Sequence, residues 1–274
     1  MYQLAFFEHD TAEMERQVAW SAGKPGNEDI LLSFQSDTEA YSGRLGKARD
    51  FTRRAVDAAV RKDSKETAAL WQVIAALREA EFGNTAVAKH DVGAALALAP
   101  GQDVKLLAAL ALARIGETAR AKAIAEELEK NYPSETILKV YWLPAIKAAT
   151  ELNANNSTQA VLFLEPAVPY DLGGPPQFQL GTMYPAFIRG QAYLLAHNGA
   201  AAAAEFQRVL DHSGIVLNFV TGSLAHLQIG RAYTLSGDTA KAKAAYQDFL
   251  ALWKDADLNI PILKQAKAEY AKLQ

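Results

Sequence analysis

Two stretches of the sequence, 40 residues apart, share one short pattern, and this spacing limits what the chain can fold into. Residues 190–193 read Gly-Gln-Ala-Tyr, and residues 230–233 read Gly-Arg-Ala-Tyr. Thirteen residues after each tyrosine comes an aromatic side chain, Phe206 in the first stretch and Tyr246 in the second. A small residue lets a second helix cross closely, and an aromatic on the same face packs beside the crossing. The pattern therefore predicts that each stretch folds as two antiparallel helices joined by a turn.

Turn-forming residues continue this pattern along the rest of the chain. Gly43, Gly83, Gly116 and Gly237 are each followed five residues later by alanine. The seven candidate turns are separated by 33 to 44 residues and lie at positions 9, 43, 83, 116, 155, 199 and 237. A period of this size indicates a solenoid, in which each repeat buries its apolar face by stacking on its neighbours.

We therefore predict a single all-α solenoid over residues 1–274, made of about seven helix-turn-helix repeats and a C-terminal capping helix. The repeats are expected at residues 1–22, 27–61, 65–98, 101–133, 136–165, 179–211 and 219–254, with the capping helix at 260–273. The fifth repeat should open with a helix over 136–153. Alanine makes up about one residue in five, which agrees with close helix crossings and high helix propensity. Two connecting segments, 166–178 and 211–218, are longer than ordinary turns, and the sequence leaves open whether they are functional or tolerated insertions.

The composition excludes several kinds of site and partner. Without cysteine the chain has no disulfide, no thiolate zinc site and no thiol nucleophile. A formal net charge of −3 gives no electrostatic reason to expect nucleic acid. The five histidines form no i, i+4 pair, and no pair of carboxylates stands out for acid–base work. We predict no catalytic residue, no metal and no cofactor. We also predict no membrane contact, because no apolar stretch approaches the roughly 20 residues that span a bilayer.

The two late repeats resemble the tetratricopeptide repeat, in which small and aromatic residues alternate in a set order. The residues that carry the resemblance are Gly190, Tyr193, Ala202 and Phe206 in one repeat and Gly230, Tyr233, Ala242 and Tyr246 in the other. The family's first-helix tryptophan is replaced by Ala186 and His226. The resemblance implies a right-handed superhelix of antiparallel helix pairs that binds proteins or peptides.

A more specific resemblance covers nearly the whole chain. The strings that carry it lie at residues 17–20, 23–26, 40–49, 206–216, 225–233, 241–250 and 253–263. They are similar to the repeat-built C-terminal region of large bacterial serine/threonine protein kinases, in which a catalytic domain is commonly followed by a membrane-spanning segment. The resemblance implies a non-catalytic interaction or sensor module of a membrane-anchored kinase, with an extracytoplasmic location as one option. The sequence itself contains no G-x-G-x-x-G loop, H-R-D loop or D-F-G motif.

Repeat geometry places a partner in the groove lined by the first helices. The residues expected on the groove side of the last two repeats are Phe187, Gln191, Leu194, Leu227, Gln228 and Arg231. The carboxylate-clamp form of the family has Lys and Asn at several of these places, whereas here Arg231 is the one cation. A mixed apolar and polar surface of a protein or peptide, or a second copy of this chain, is therefore the expected partner.

A structural spacer or dimerisation module without a ligand is the alternative. An enzyme built on the solenoid would require a convergent polar cluster.

Overall fold

A computed structural model of the protein describes residues 1–173 and 183–274. Within these ranges the chain is helical and contains no β-strand, which confirms the predicted all-α class. The α-helices in chain order are Tyr2–Phe7 (α1), Thr11–Ser21 (α2), Glu28–Tyr41 (α3), Leu45–Arg61 (α4), Lys65–Glu81 (α5), Thr85–Leu98 (α6), Gln102–Arg114 (α7), Thr118–Asn131 (α8), Leu143–Asn153 (α9), Ser157–Leu164 (α10), Tyr184–Leu195 (α11), Gly199–Asp211 (α12), Ser213–Val216 (α13), Val220–Leu235 (α14), Thr239–Leu252 (α15) and Pro261–Ala271 (α16). The expected start of the sixth repeat, at 179–182, lies outside the described residues.

Glycines in the left-handed conformation separate the helices of four hairpins. Gly43, Gly83, Gly116 and Gly237 have φ angles between +73° and +84°. Glycine adopts this region without the steric cost that a β-carbon brings. Each of the four follows the end of a first helix, so the chain reverses there and the second helix begins. The turns predicted at these positions are confirmed.

The turn before α12 differs from the prediction. Its left-handed residue is His197, with φ of 55°, and Gly199 is instead the first residue of α12. A β-carbon on Gly199 would lie 2.3 Å from the Ser236 hydroxyl oxygen and 2.6 Å from the Ala232 carbonyl oxygen. Gly199 is therefore required for the close approach of α12 to the end of α14. This role explains why that glycine departs by two residues from the 40-residue spacing.

The helix predicted over 136–153 is divided in the structure. Leu138–Trp142 form a π-helical segment, and α9 continues from it with Pro144 in its first turn. Proline has no N–H, and its ring crowds the carbonyl group four residues earlier, so regular α-helical hydrogen bonds cannot run through this position. The wider π turn accommodates the interruption without ending the helix. The predicted loops also contain short helical pieces, a 3₁₀ turn at Glu165–Tyr170 and α13.

The first helices of the repeats form an inner layer, and the second helices surround it. In α7 every residue from 106 to 113 is apolar and buried, so this helix has neighbours on all sides. By contrast α4 is strongly amphipathic, with Ala48, Ala55 and Ala59 fully buried while Arg53 and Arg54 are exposed. An all-apolar helix belongs in the interior and an amphipathic one at the surface.

The inner layer closes on itself, because α14 of the last repeat contacts α3 and α5 of the second and third repeats. The segment after α15 strengthens this closure. The Trp253 indole N–H donates to the Tyr41 carbonyl oxygen at 2.9 Å, and the Trp253 ring meets the Phe82 ring edge-on at 5.1 Å between centroids. A β-carbon on Gly43 would lie only 2.5 Å from the Ala256 β-carbon, so Gly43 provides the space for this contact.

Backbone hydrogen bonds complete the contact between the two ends of the array. The Asp257 N–H donates to the Gly43 carbonyl oxygen at 3.0 Å, and the Asp257 carboxylate accepts from the Gly46 N–H at 2.6 Å. Gly46 lies in the first turn of α4, whose own preceding residue, Arg44, provides no side-chain cap. A carboxylate from the last repeat therefore satisfies an amide at the N-terminus of a helix in the second repeat.

The C-terminal helix takes part in the closure of the ring. The C-terminal helix α16 packs on the last repeat, where the Gln247 side chain donates to the Tyr270 hydroxyl at 2.9 Å. Its start also reaches the third repeat, since the Ile262 N–H donates to the Phe82 carbonyl oxygen at 3.3 Å. The helix predicted to shield a free end thus also joins the two ends of the array.

Substitution of Gly43 tests how much the closure contributes to stability. Gly116→Ala is the matched control, because Gly116 has a similar φ and a β-carbon added to it would meet no atom within 4 Å. We expect Gly116→Ala to lower the free energy of unfolding by about 1–2 kcal/mol, the cost of a β-carbon in the left-handed region. Gly43→Ala should lose about 1–3 kcal/mol more, from overpacking against Ala256 and Trp253. Urea unfolding measures both, and equal losses would contradict the closure.

Candidate functional site

The residues predicted to line the groove divide into two groups. Phe187 and Leu227 are fully buried, and Gln228 is 4 % exposed. These three side chains pack inside the ring and present no surface to a partner in this conformation, because the inner layer closes on itself. Gln191 and Leu194 on α11 and Arg231 on α14 are half-buried. Their assignment to a binding site stays a prediction.

Arg231 is held by the C-terminal helix of its own chain. Its Nε and Nη2 atoms each donate to the Glu269 carboxylate at 2.9 Å, and the Tyr246 hydroxyl donates to the same carboxylate at 2.9 Å. Burial and the Glu269 charge raise the pKa of Tyr246, so the hydroxyl keeps its proton and acts as a donor. The cation predicted to meet a partner is thus already paired with an intramolecular carboxylate.

Buried ion pairs join the inner helices to one another. Arg78 on α5 donates to Asp37 on α3 at 2.7 Å and to the Thr52 hydroxyl on α4 at 2.9 Å. Arg114 on α7 donates to Glu81 on α5 at 2.6 and 2.9 Å. Burial raises the pKa of Asp37 to about 6, although Arg78 lowers it. Pairs of this kind fix the register of the packed helices, and each partner depends on the other for its solvation.

An open apolar groove lies between the first repeat and the second. We call it the first-repeat groove; its volume is about 410 Å³. The lining residues come from α1 to α4 and are Tyr2, Thr11, Met14, Glu15, Val18, Ala19, Gln35, Thr38, Glu39, Arg44 and Phe51. Met14 and Val18 lie four residues apart on α2, so both face the groove. Phe51 on α4 forms the opposite wall, and the Arg54 guanidinium lies over its ring at 5.2 Å.

The floor of the first-repeat groove is tied to the far end of the chain. The Tyr2 hydroxyl donates to the Thr38 hydroxyl at 3.1 Å. The Asn218 amide donates to the same Thr38 hydroxyl at 3.1 Å and to the Phe34 carbonyl oxygen at 2.9 Å. Asn218 precedes α14, so ring closure holds the groove floor in place.

Charged residues surround the first-repeat groove. Arg44 pairs with Glu39 on its rim, and Glu15 contributes a further acid from α2. On the outer face of α4 beside it, the Arg53 and Arg54 side chains are 71 % and 52 % exposed and share the single carboxylate of Asp50, so one positive charge remains in excess there. Apolar walls with charged edges are typical of surfaces that bind peptide segments.

The sequence signal for this groove is the pair Met14 and Val18, which the repeat pattern does not use; Trp20 lies outside the groove. Helix α2 carries Met14 and Val18 on one face and Trp20 on another, since a two-residue offset turns a side chain by about 200° around a helix. Trp20 is 53 % exposed, and the Lys24 ammonium lies 4.0 Å above its ring. A short helix with apolar residues on two faces indicates a surface that the hairpin alone does not cover.

Comparison with known families identifies two of the repeats. The tetratricopeptide repeat family matches residues 103–134 and 224–256. The matches begin inside α7 and α14 and extend past the ends of α8 and α15. Tetratricopeptide repeats are therefore present in the chain, and the fold is an all-α tetratricopeptide-repeat solenoid. Domains of this kind are generally non-catalytic and typically bind proteins or peptides. None of the curated proteins compared with the chain matches it.

Two further features of the described residues bear on the partner and cofactor predictions. Among residues 1–173 and 183–274, no three His, Asp or Glu side chains are grouped so that they could hold a metal ion. In the same part of the chain, no helix has the length and apolar character needed to cross a bilayer.

The buried pair of Arg78 and Asp37 gives a pH-dependent prediction. Arg78→Met should cost about 3–5 kcal/mol at pH 7.5, because it leaves a buried carboxylate without its partner. Without Arg78 the pKa of Asp37 rises further, so the folded state holds the proton to higher pH than the unfolded chain does. Relative to the unaltered chain, the loss therefore grows as pH rises from the folded pKa of Asp37 with Arg78 in place, about 6, towards the higher folded pKa of the variant, and it is smaller at pH 5 than at pH 7.5.

Arg231→Met is the matched control for Arg78→Met. The side chains of Arg231 and Glu269 are 22 % and 33 % exposed, so water partly screens their ion pair. Removal of the pair should lower the free energy of unfolding by no more than about 1 kcal/mol. Urea unfolding of both variants at pH 5 and 7.5 provides the comparison. Similar losses for the two variants, or a larger Arg78→Met loss at pH 5, would contradict the interior role of the pair.

Proposed function

We propose that the chain is a non-catalytic protein-interaction module that binds a peptide segment of a partner in the first-repeat groove. The proposal rests on one observation, namely where the structure leaves apolar surface open to solvent. Helices α11 and α14 are the first helices of the last two repeats, and their inner faces are packed within the ring. The first-repeat groove, by contrast, faces solvent and has apolar walls. Recognition at this edge of the solenoid is consistent with the partner class typical of tetratricopeptide repeats.

The charges beside the groove favour a particular kind of peptide. Arg53 and Arg54 extend the positive edge along α4, and residues 44–65 contain eight Lys and Arg against three Asp and Glu. Two apolar side chains of a peptide would contact Met14, Val18 and Phe51, while acidic residues flanking them would meet the α4 cations. Such complementarity sets orientation and association rate more than affinity, so binding should weaken as salt is added.

We further propose, from the sequence resemblance, that the module belongs to a membrane-anchored serine/threonine protein kinase and lies outside its catalytic domain. The strings at 206–216, 225–233, 241–250 and 253–263 support this placement. The reading frame in the source genome tests it directly. A kinase domain and a spanning segment encoded upstream would be the expected result, and a frame that encodes neither would contradict the placement.

A random peptide library displayed on phage tests the groove. We expect selected peptides to carry two apolar residues with acidic neighbours. Val18→Glu should weaken their binding by about tenfold or more, because it puts a carboxylate on an apolar wall and repels the peptide's acids. Val60→Glu is the matched control: Val60 is a 43 % exposed valine on α4 that does not line the groove. Fluorescence polarisation with labelled peptides measures both variants.

Three results would count against the groove. The first is that selected peptides bind Val18→Glu as tightly as the unaltered chain, and the second is that their binding strengthens as salt is added. The third is that no peptide is selected at all; concentration-dependent self-association would then favour the alternative of a dimerisation module. Circular dichroism and thermal unfolding of each variant establish that a loss of binding is not a loss of fold.

A further inference from the structure

A second cavity lies where the first and last repeats meet, away from the first-repeat groove. We call it the seam pocket; its volume is about 370 Å³. Phe6 and Phe7 of α1 form one wall, and Val209 and Leu210 of α12 form another. Tyr41 at the end of α3 and His226 of α14 also line it. The pocket thus has walls from both ends of the chain and depends on the ring being closed.

The walls of the seam pocket are held in place before any ligand binds. The Phe6 ring packs edge-on against the Tyr41 ring at 5.2 Å between centroids. A β-carbon on Gly222 would lie 3.0 Å from Tyr41 Cε2 and 3.1 Å from Val216 Cγ1, so the glycine allows these side chains to approach α14 closely. Because these side chains are already ordered, binding a ligand costs little side-chain entropy of the protein.

Backbone strain occurs at the same place. Leu217 has φ of 56° and ψ of −136°, a conformation that glycine adopts readily and leucine does not. Its side chain lines the seam pocket. Strained residues persist only where the surrounding structure holds them, and they concentrate at ligand-binding sites. The strain is thus a second observation, independent of the cavity, at this position.

Two polar groups of the seam pocket have unused hydrogen-bonding capacity. Among the described residues, none forms a hydrogen bond with the Tyr41 hydroxyl or with the His226 ring. Burial lowers the pKa of His226, against the opposing charge of Asp248, so the ring is neutral near pH 7. A neutral imidazole and a phenol offer hydrogen bonds to an uncharged group but no charge to pair with an anion.

We propose that the seam pocket binds a small uncharged aromatic molecule with one hydrogen-bonding group, such as a phenol or an indole. The volume fits this class, since a dry cavity of about 150 Å³ already holds one benzene ring. A volume of about 370 Å³ lies at the lower end of the range for small-molecule sites. The aromatic ring contacts Phe6, Phe7 and Leu210, and the polar group bonds to the His226 ring.

Calorimetric titration of the full chain with phenol and indole tests the proposal. We expect saturable binding with one site per chain, and a rise in melting temperature as ligand is added. Benzoate, a charged analogue of phenol, should bind at least about tenfold more weakly, because its carboxylate would lose water against the apolar walls. Equal binding of benzoate and phenol, or no saturable binding of either uncharged probe, would overturn the proposal.

Two variants locate the site. Leu210→Trp should abolish binding of both probes by filling the cavity, whereas Leu162→Trp, on the exposed face of α10, should leave it unchanged. His226→Phe keeps a planar ring and removes its hydrogen bond, so phenol should bind about 3–10-fold more weakly while toluene is unaffected. This second variant keeps the test decisive if Leu210→Trp does not fold. Indole binding that survives Leu210→Trp, or phenol binding that His226→Phe leaves unchanged, would overturn the assignment.

A last titration distinguishes two kinds of ligand for the seam pocket, a free small molecule and a tryptophan side chain of a partner protein. N-acetyl-tryptophanamide carries the indole group on a peptide backbone. Binding weaker than that of indole supports the small-molecule site, and tighter binding would overturn it in favour of a partner's tryptophan. Val18→Glu should leave all these titrations unchanged, so the result is independent of the first-repeat groove.

Discussion

The contact between the segment after α15 and the turns of the second and third repeats is the constraint on which the rest of the structure depends. It requires a glycine without a β-carbon at position 43, an indole that reaches the Tyr41 carbonyl, and a carboxylate that caps α4 from the other end of the chain. These are short-range contacts between residues more than 200 positions apart. They turn a stack of hairpins, each of which touches mainly its neighbours, into a ring.

Closure of the ring changes which surfaces of the inner helices a partner can reach. An inner surface that would be a groove in an open array becomes a core, and its charged residues must find partners within it. Arg78 pairs with Asp37 and Arg114 with Glu81, so the ion pairs join successive inner helices where an open array would offer its side chains to a partner. Open apolar surface is then found at the edge of the ring and at the seam, which is where we place the two candidate binding sites.

Much of the helical layout could be predicted because its signals are local. Helices α5 and α6 lie within residues 65–98, and α7 and α8 lie within residues 102–131. Positive-φ glycines, capping residues and apolar spacing act over a few residues, so a single sequence contains them. The site residues were harder to place, because repeat geometry assigns a face to each helix and does not say what packs on that face. Phe187 and Leu227, for example, are buried within the ring, so a partner cannot reach them in this conformation.

Local sequence patterns establish that the chain is an all-α array of hairpins and where most of its turns lie. Only the tertiary structure decided whether the array is open or closed, and therefore which surfaces a partner can reach. The physical reason is that closure depends on small rotations between neighbouring repeats, summed over the whole chain. It is then held by contacts such as that between Gly46 and Asp257, which no local pattern records.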